Sequence, residues 1–141
     1  MKTMTTTKSN KSNAIIKVLL WVLQILLAFI FGAHGWLMVA PPEALVETIN
    51  TSIGHNLSLF IGVAELLAAA ALILPSMTRI LPWLTPLAGL GLMIVMVCAT
   101  AFHVTRGEMS SAIMAVFIFV LVTLMTYARW KPFSIASRST H

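Results

Sequence analysis

Four long apolar stretches, separated by short polar segments, dominate the pattern of the chain. The predicted spans cover about residues 14–39, 57–74, 84–104 and 111–130. A helix rises about 1.5 Å per residue, so each stretch can cross a hydrocarbon core about 30 Å thick. The pattern predicts an all-α integral membrane protein, a four-helix transmembrane bundle over residues 14–131. The polar ends, residues 1–13 and 132–141, are expected to be tails, the first of them disordered.

The second stretch carries one carboxylic acid, Glu65, near its middle. A central acid costs about 2.5–3.5 kcal/mol of insertion free energy. The ten Leu, Ile, Val and Phe residues of 57–74 offset this with about 3–6 kcal/mol, so the helix still inserts. Ser58, Gly62, Glu65 and Ala69 share one helix face. Small residues mark helix contacts in membranes, so Glu65 should face its neighbouring helices and not lipid.

The other segments have their own patterns. Residues 40–56 are too polar to span, and after Pro42 they predict a short amphipathic helix on the membrane surface or over the bundle mouth. Residues 75–86 contain three prolines and should turn the chain back. In the first span, one face carries Gln24, Ala28, Phe31 and Gly35.

Composition and charge agree with a membrane protein. Of the 141 residues, 59% are hydrophobic and 9% charged, against about 25% charged in soluble domains. The basic residues lie between the spans, so they indicate topology and lipid contact rather than nucleic-acid binding. One side carries eight of them and the other only Arg106, which predicts cytoplasmic termini. The eight are Lys2, Lys8, Lys11, Lys17, Arg79, Arg129, Lys131 and Arg138. At the end of the last span, Arg129 and Lys131 are expected to anchor to headgroups.

Sulfur chemistry is not indicated. The single cysteine, Cys98, cannot form an internal dithiol. The nine methionines fit core filling better than copper ligation, so no metal site is predicted.

Four polar residues within the spans are the candidate ligand-binding residues: Gln24, His34, Glu65 and His103. They could simply bond to one another and fix packing. They could instead line a pocket for a quinone, with Glu65 as a proton-exchanging acid and the histidines on the path to water. Ligation of metal or haem by the two histidines, or a path for protons or a solute, is the third interpretation. Contact between Glu65 and a histidine requires the second helix to be displaced outward, since Glu65 otherwise lies deeper.

An ordered set of short motifs resembles the DoxX-like family of small four-helix membrane proteins. The matching pieces are residues 35–37 (GWL), 60–67 (FIGVAELL), 84–88 (LTPLA), 102–103 (FH), 106–108 (RGE) and 127–130 (YARW). The resemblance covers about residues 15–131 and implies a bundle in the inner membrane of a bacterium. The family is named after a small subunit associated with quinol oxidation and thiosulfate:quinone oxidoreduction. Distant relatives handle membrane proteins or cargo.

One position departs from the family pattern. Relatives often carry a lysine where this chain has Met38. If that lysine pairs with the second-span acid in relatives, this chain lacks the pair. Glu65 is then expected to be protonated, or bonded to Gln24 or to a histidine.

These observations predict an accessory membrane subunit linked to quinone or quinol redox metabolism, with quinone as the candidate ligand and no catalytic residue assigned. Its expected partners are the lipid bilayer, membrane oxidoreductase subunits and a second copy of the chain. The alternative is a scaffold or assembly factor without chemistry of its own, which would hold another membrane protein through the small-residue faces.

Overall fold

A computed structural model describes the backbone of residues 3–131 and 133–137, and the side chains from residue 13 onward within those ranges. The outermost residues of both predicted tails, 1–2 and 138–141, lie outside the described part. Five helices follow one another: α1 (Thr3–Val39), α2 (Glu43–Ser52), α3 (His55–Thr78), α4 (Leu84–Thr105) and α5 (Met109–Trp130).

Four of these helices are long and apolar enough to cross a membrane: α1 from Asn13 onward, α3, α4 and α5. The prediction of an all-α bundle with four spans is therefore confirmed. The remaining helix, α2, is the short segment expected after Pro42, which occupies its N-cap. None of the α2 residues is buried, so this helix lies on the outside of the bundle.

At its N-terminus, α1 extends further than the sequence pattern indicates. Its backbone is helical from Thr3, where the polar composition predicts disorder over residues 1–13. Extending an existing helix gains one backbone hydrogen bond for each residue that is fixed, whereas starting a new helix fixes several residues for one bond. The apolar span therefore supplies a nucleus from which the polar segment continues as helix.

Helix α3 continues through Pro75 to Thr78, whereas the sequence predicts a linker from residue 75. A proline inside a helix has no N–H to donate to the carbonyl four residues earlier, here that of Ala71. The Thr85 hydroxyl of α4 donates to the Ala71 carbonyl oxygen instead, at 3.4 Å. The neighbouring helix thus satisfies the group that Pro75 leaves free, which is how membrane helices tolerate prolines.

Neighbouring helices in the bundle run antiparallel, and their packing gives the order α1, α3, α4, α5 around it. The main contacts join α1 to α3, α3 to α4, and α4 to α5, and a smaller contact between α5 and α1 closes the ring. In this order α1 and α4 are diagonal. The core between the helices contains Leu27, Phe31, Ala69, Leu72, Leu92, Met96, Val122 and Met125.

The bundle has two chemically different ends. We call the end where α1 finishes and α3 begins the His34 end. The opposite end, where α3 finishes, α4 begins and α5 finishes, is called the Arg129 end. Polar side chains are buried toward both ends, and they form two separate clusters.

Candidate functional site

Glu65 is buried inside the bundle. Only 1% of its surface is exposed, and Ser58, Gly62 and Ala69 on the same face of α3 are buried as well. The prediction that this acid points toward its sister helices is confirmed. Because α1 packs against α3, the polar partner of Glu65 can come from α1.

Two glycines bring α1 and α3 unusually close beside Glu65. A Cβ atom added to Gly62 would lie 2.7 Å from the Gly35 carbonyl oxygen. A Cβ atom added to Gly35 would lie 2.8 Å from the Gly62 carbonyl oxygen. Both distances are shorter than any side chain can accept against a backbone atom. The two backbones therefore meet at a contact that only glycine permits, as in other close membrane helix pairs.

This approach places His34 against Glu65. His34 Nδ1 and Glu65 Oε2 are 2.5 Å apart, and the His34 side chain remains 50% exposed. From the sequence, this contact requires the second span to be displaced outward. The structure shows that α3 is displaced in this way along the bundle. Val39, the last residue of α1, lies against Gly62, so residues 55–61 of α3 project beyond α1. Because this chain has Met38 in place of a lysine, the expected partners of Glu65 are Gln24 or a histidine. The structure shows that the partner is a histidine, His34.

The pair combines a shielded acid with an accessible base. A carboxyl group and an imidazole nitrogen at this distance share one proton in a short hydrogen bond. Bonding Nδ1 to Glu65 leaves the second ring nitrogen, Nε2, to exchange a hydrogen bond or a proton with a ligand or water. The arrangement therefore suits proton transfer between the bundle interior and a molecule at its surface.

His103 does not join this pair. Its Nδ1 lies 2.7 Å from Glu108 Oε2, and Arg106 Nε donates to Glu108 Oε1 at 2.9 Å. Arg106 and Glu108 thus form a partly exposed ion pair, with His103 as its third member. Hydrogen bonds from Arg106 first and His103 second hold the pKa of the Glu108 carboxyl below its usual range. The structure places His34 and His103 on diagonal helices, each bonded to a different carboxyl group.

Gln24 belongs to a separate polar cluster at the Arg129 end. It lies ten positions before His34 on α1, which corresponds to about 15 Å along the helix. Its Nε2 donates to the Leu72 carbonyl oxygen at 2.5 Å and to Ser76 Oγ at 2.7 Å. Its Oε1 accepts a hydrogen bond from Arg129 Nε at 2.8 Å. Gln24 is fully buried, and it links α1 to α3 and α5.

Arg129, near the end of α5, also belongs to this cluster. Expected as a headgroup anchor, it is only 5% exposed, and its guanidinium lies over the Trp21 ring at 5.3 Å. Ser76 and Thr85, whose hydroxyls are 2.9 Å apart, complete the cluster on α3 and α4. One sequence feature indicates this polar cluster. Gln24, Ser76 and Thr85 are polar residues at similar depths in three different helices, and none of them has an evident side-chain partner in its own helix.

A family model matches most of this chain. The model of the DoxX-like family matches residues 22–125, a region that holds Gln24, His34, Glu65 and His103. No curated protein and no solved structure matched the chain. The family match covers well over half of the sequence, including the His34–Glu65 pair, and it agrees with the four apolar helices of the fold. The chain therefore belongs to the DoxX-like family of membrane proteins.

Proposed function

We propose that this DoxX-like protein is an accessory membrane subunit linked to quinone redox metabolism, and that His34 with Glu65 forms its quinone-binding and proton-exchange site. The observation that carries the proposal is the hydrogen bond between a buried carboxyl group and a half-exposed imidazole within a membrane span. Ionisable groups in spans are costly and are commonly functional.

The chemistry of a quinone matches what this pair offers. Reduction of a quinone to a quinol takes up two electrons and two protons, and oxidation releases them. His34 can donate a hydrogen bond to a quinone carbonyl oxygen and pass on a proton, and the His34–Glu65 pair then takes up another proton from water at the membrane surface. In this proposal the electrons come from a partner oxidoreductase subunit in the membrane.

The location of the pair suits a ligand that is dissolved in lipid. His34 lies five residues before the end of α1, about 7–8 Å from it, so its side chain is near the membrane–water interface. A quinone ring can approach there from the bilayer, while the protons that its reduction consumes come from water one or two helical turns away. The proposed site consists of the α1–α3 pair alone, because His103 and Gln24 are engaged in other clusters.

The scaffold alternative receives less support from the packing. It would use the small-residue faces of the spans to hold another membrane protein. Gly35 and Gly62 already pack against each other inside the bundle, so these faces are covered. A partner protein would therefore need a different, apolar surface.

We also propose an orientation and a location for the protein. The excess of basic residues at the Arg129 end favours cytoplasmic termini, in keeping with the positive-inside rule. The His34 end would then face the outer side of a bacterial inner membrane. In quinone reduction, the proposed site would take up its protons from water on that side.

Quinone titration in detergent tests the function. Decylubiquinone is added to the full chain, and binding is followed by quenching of tryptophan fluorescence, since Trp36 lies at the same end of α1 as His34. Affinity should fall about tenfold in His34→Gln and in Glu65→Gln, as expected for loss of one charge-assisted hydrogen bond. The matched control is His103→Gln, which removes an imidazole at the same end and should bind as the wild type does. Equal affinity in the wild type, His34→Gln and Glu65→Gln would contradict the proposal.

A further inference from the structure

The buried guanidinium at the Arg129 end has more hydrogen-bond donors than the bundle uses. A guanidinium carries five N–H groups. Arg129 Nε donates to Gln24, whereas Nη2 is buried and has no hydrogen-bond partner among the described residues. A cationic donor buried in this way is normally paired with an anion or an acceptor.

Among the described residues, the groups that contact Arg129 do not neutralise its charge. Its partners are an amide oxygen, from Gln24, and an aromatic face, from Trp21. Where the described residues form carboxylate ion pairs, those pairs lie at the His34 end, at Glu65 and at Glu108. Within the part of the chain that the structure describes, the positive charge of the guanidinium therefore has no carboxylate beside it, and it lies inside a largely apolar bundle.

A cavity borders this same residue. It has a volume of about 450 Å³, within the usual range for small-molecule sites, and Arg129 forms part of its wall. Trp83 and Leu87 at the start of α4, Trp130 at the end of α5, and Ser134 after α5 line it as well. The wall is thus mostly apolar, with one buried cation.

The position of the cavity indicates what kind of anion would enter it. It lies where α4 begins and α5 ends, which is the depth of the membrane–water interface for helices of this length. Trp83 and Trp130 are more than half exposed there, as aromatic residues at headgroup level commonly are. A lipid brings a phosphate group to this depth and acyl chains to the apolar wall next to it.

We propose that this cavity is a binding site for the phosphate group of an anionic membrane phospholipid, held by the Arg129 guanidinium. The phosphate oxygens accept hydrogen bonds from the guanidinium, the geometry for which arginine is best suited. The glycerol backbone and the first part of the acyl chains lie against Leu87 and the two tryptophans. This site is independent of the proposed quinone site, which is at the opposite end of the bundle.

Native mass spectrometry of the full chain in detergent tests the assignment. The probe is palmitoyl-oleoyl phosphatidylglycerol, and the reference is the diacylglycerol with the same acyl chains and no phosphate. One phosphatidylglycerol molecule should bind at least tenfold more tightly than the diacylglycerol. In Arg129→Gln the affinity for phosphatidylglycerol should fall about tenfold. Lys131→Gln, which removes a neighbouring exposed cation, should leave that affinity unchanged.

A second pair of variants keeps Arg129 in place, in case Arg129→Gln does not fold. Ser134→Glu introduces a carboxylate into the cavity wall, where it can pair with Arg129 and repel a phosphate. Ala136→Glu adds the same charge two residues later, at an exposed position that does not line the cavity. Phosphatidylglycerol affinity should fall about tenfold in Ser134→Glu and stay at the wild-type value in Ala136→Glu.

Three results would overturn the assignment. The first is equal binding of phosphatidylglycerol and the diacylglycerol. The second is a Ser134→Glu variant that binds phosphatidylglycerol as tightly as the wild type. The third is displacement of the lipid by millimolar inorganic phosphate, which would identify a site for free phosphate instead.

Discussion

Replacing Gly62 by alanine should push α1 and α3 apart and weaken the His34–Glu65 contact. The added Cβ atom would lie 2.7 Å from the Gly35 carbonyl oxygen and 2.8 Å from both Met38 Cβ and Val39 Cγ2. Two of these three atoms belong to the backbone or sit directly on it, so they cannot rotate away. The helices must separate instead, by about 0.5–1 Å, if ordinary van der Waals contact is to be restored.

The expected loss of stability follows from that overlap. Overpacked sites typically lose about 1–3 kcal/mol, and we expect Gly62→Ala to fall in this range. The separation should also reduce the coupling between His34 and Glu65, since a hydrogen bond of 2.5 Å tolerates little stretching. Reversible unfolding in mixed micelles measures the first effect. A double-mutant cycle with His34→Ala and Glu65→Gln, in both glycine backgrounds, measures the second.

Gly91→Ala is the matched control for this prediction. Gly91 lies in α4, and a Cβ atom added to it would have no heavy atom within 4 Å. Its replacement should leave stability unchanged or raise it by up to about 1 kcal/mol through helix propensity. The account of the α1–α3 contact would be refuted if Gly62→Ala were as stable as Gly91→Ala and kept the full coupling between His34 and Glu65.

Two further predictions concern the other polar contacts. Thr85→Val should destabilise the bundle by about 1–2 kcal/mol, because the Ala71 carbonyl oxygen loses its donor beside Pro75; unfolding of the variant in mixed micelles measures this, and wild-type stability would contradict it. The pKa of Glu108 should rise toward its ordinary value in Arg106→Gln, since the folded-state pKa is lowered mainly by Arg106. Because that pKa is depressed, the contribution of Glu108 to stability is present above the unfolded-state pKa and disappears as pH falls through the folded-state value. Carboxyl NMR titration of both proteins checks the shift, and identical titration curves would contradict it.

Much of the fold follows from the periodicity of the chain. The spans are long apolar runs, and the stripe of Ser58, Gly62, Glu65 and Ala69 correctly gives the buried face of α3. A stripe is a local property of one helix, so it can be recognised without knowing the neighbours. The order of the helices around the bundle is not local, and it decides that His103 is diagonal from His34.

The candidate site is predicted only in part for the same reason. Glu65 is identifiable because an acid within an apolar run is costly, but its partner depends on how far α3 slides along α1. That displacement is set by the contact between Gly35 and Gly62, which only the assembled pair of helices reveals. Arg129 shows the same limit. Its place at the end of a span predicts a headgroup contact, but its partner inside the bundle, Gln24, is on a distant part of the chain and cannot be recognised from the local pattern.

Solid-state NMR in lipid bilayers tests most directly whether Glu65 of α3 is bonded across the helix interface to His34. The ¹⁵N signals of the His34 and His103 side chains would be compared between the wild type and Glu65→Gln. We predict that the His34 Nδ1 signal shifts when Glu65 is replaced, while the His103 signal, set by Glu108, stays in place. A His34 signal that is the same in both proteins would contradict the contact and the proposed site that depends on it.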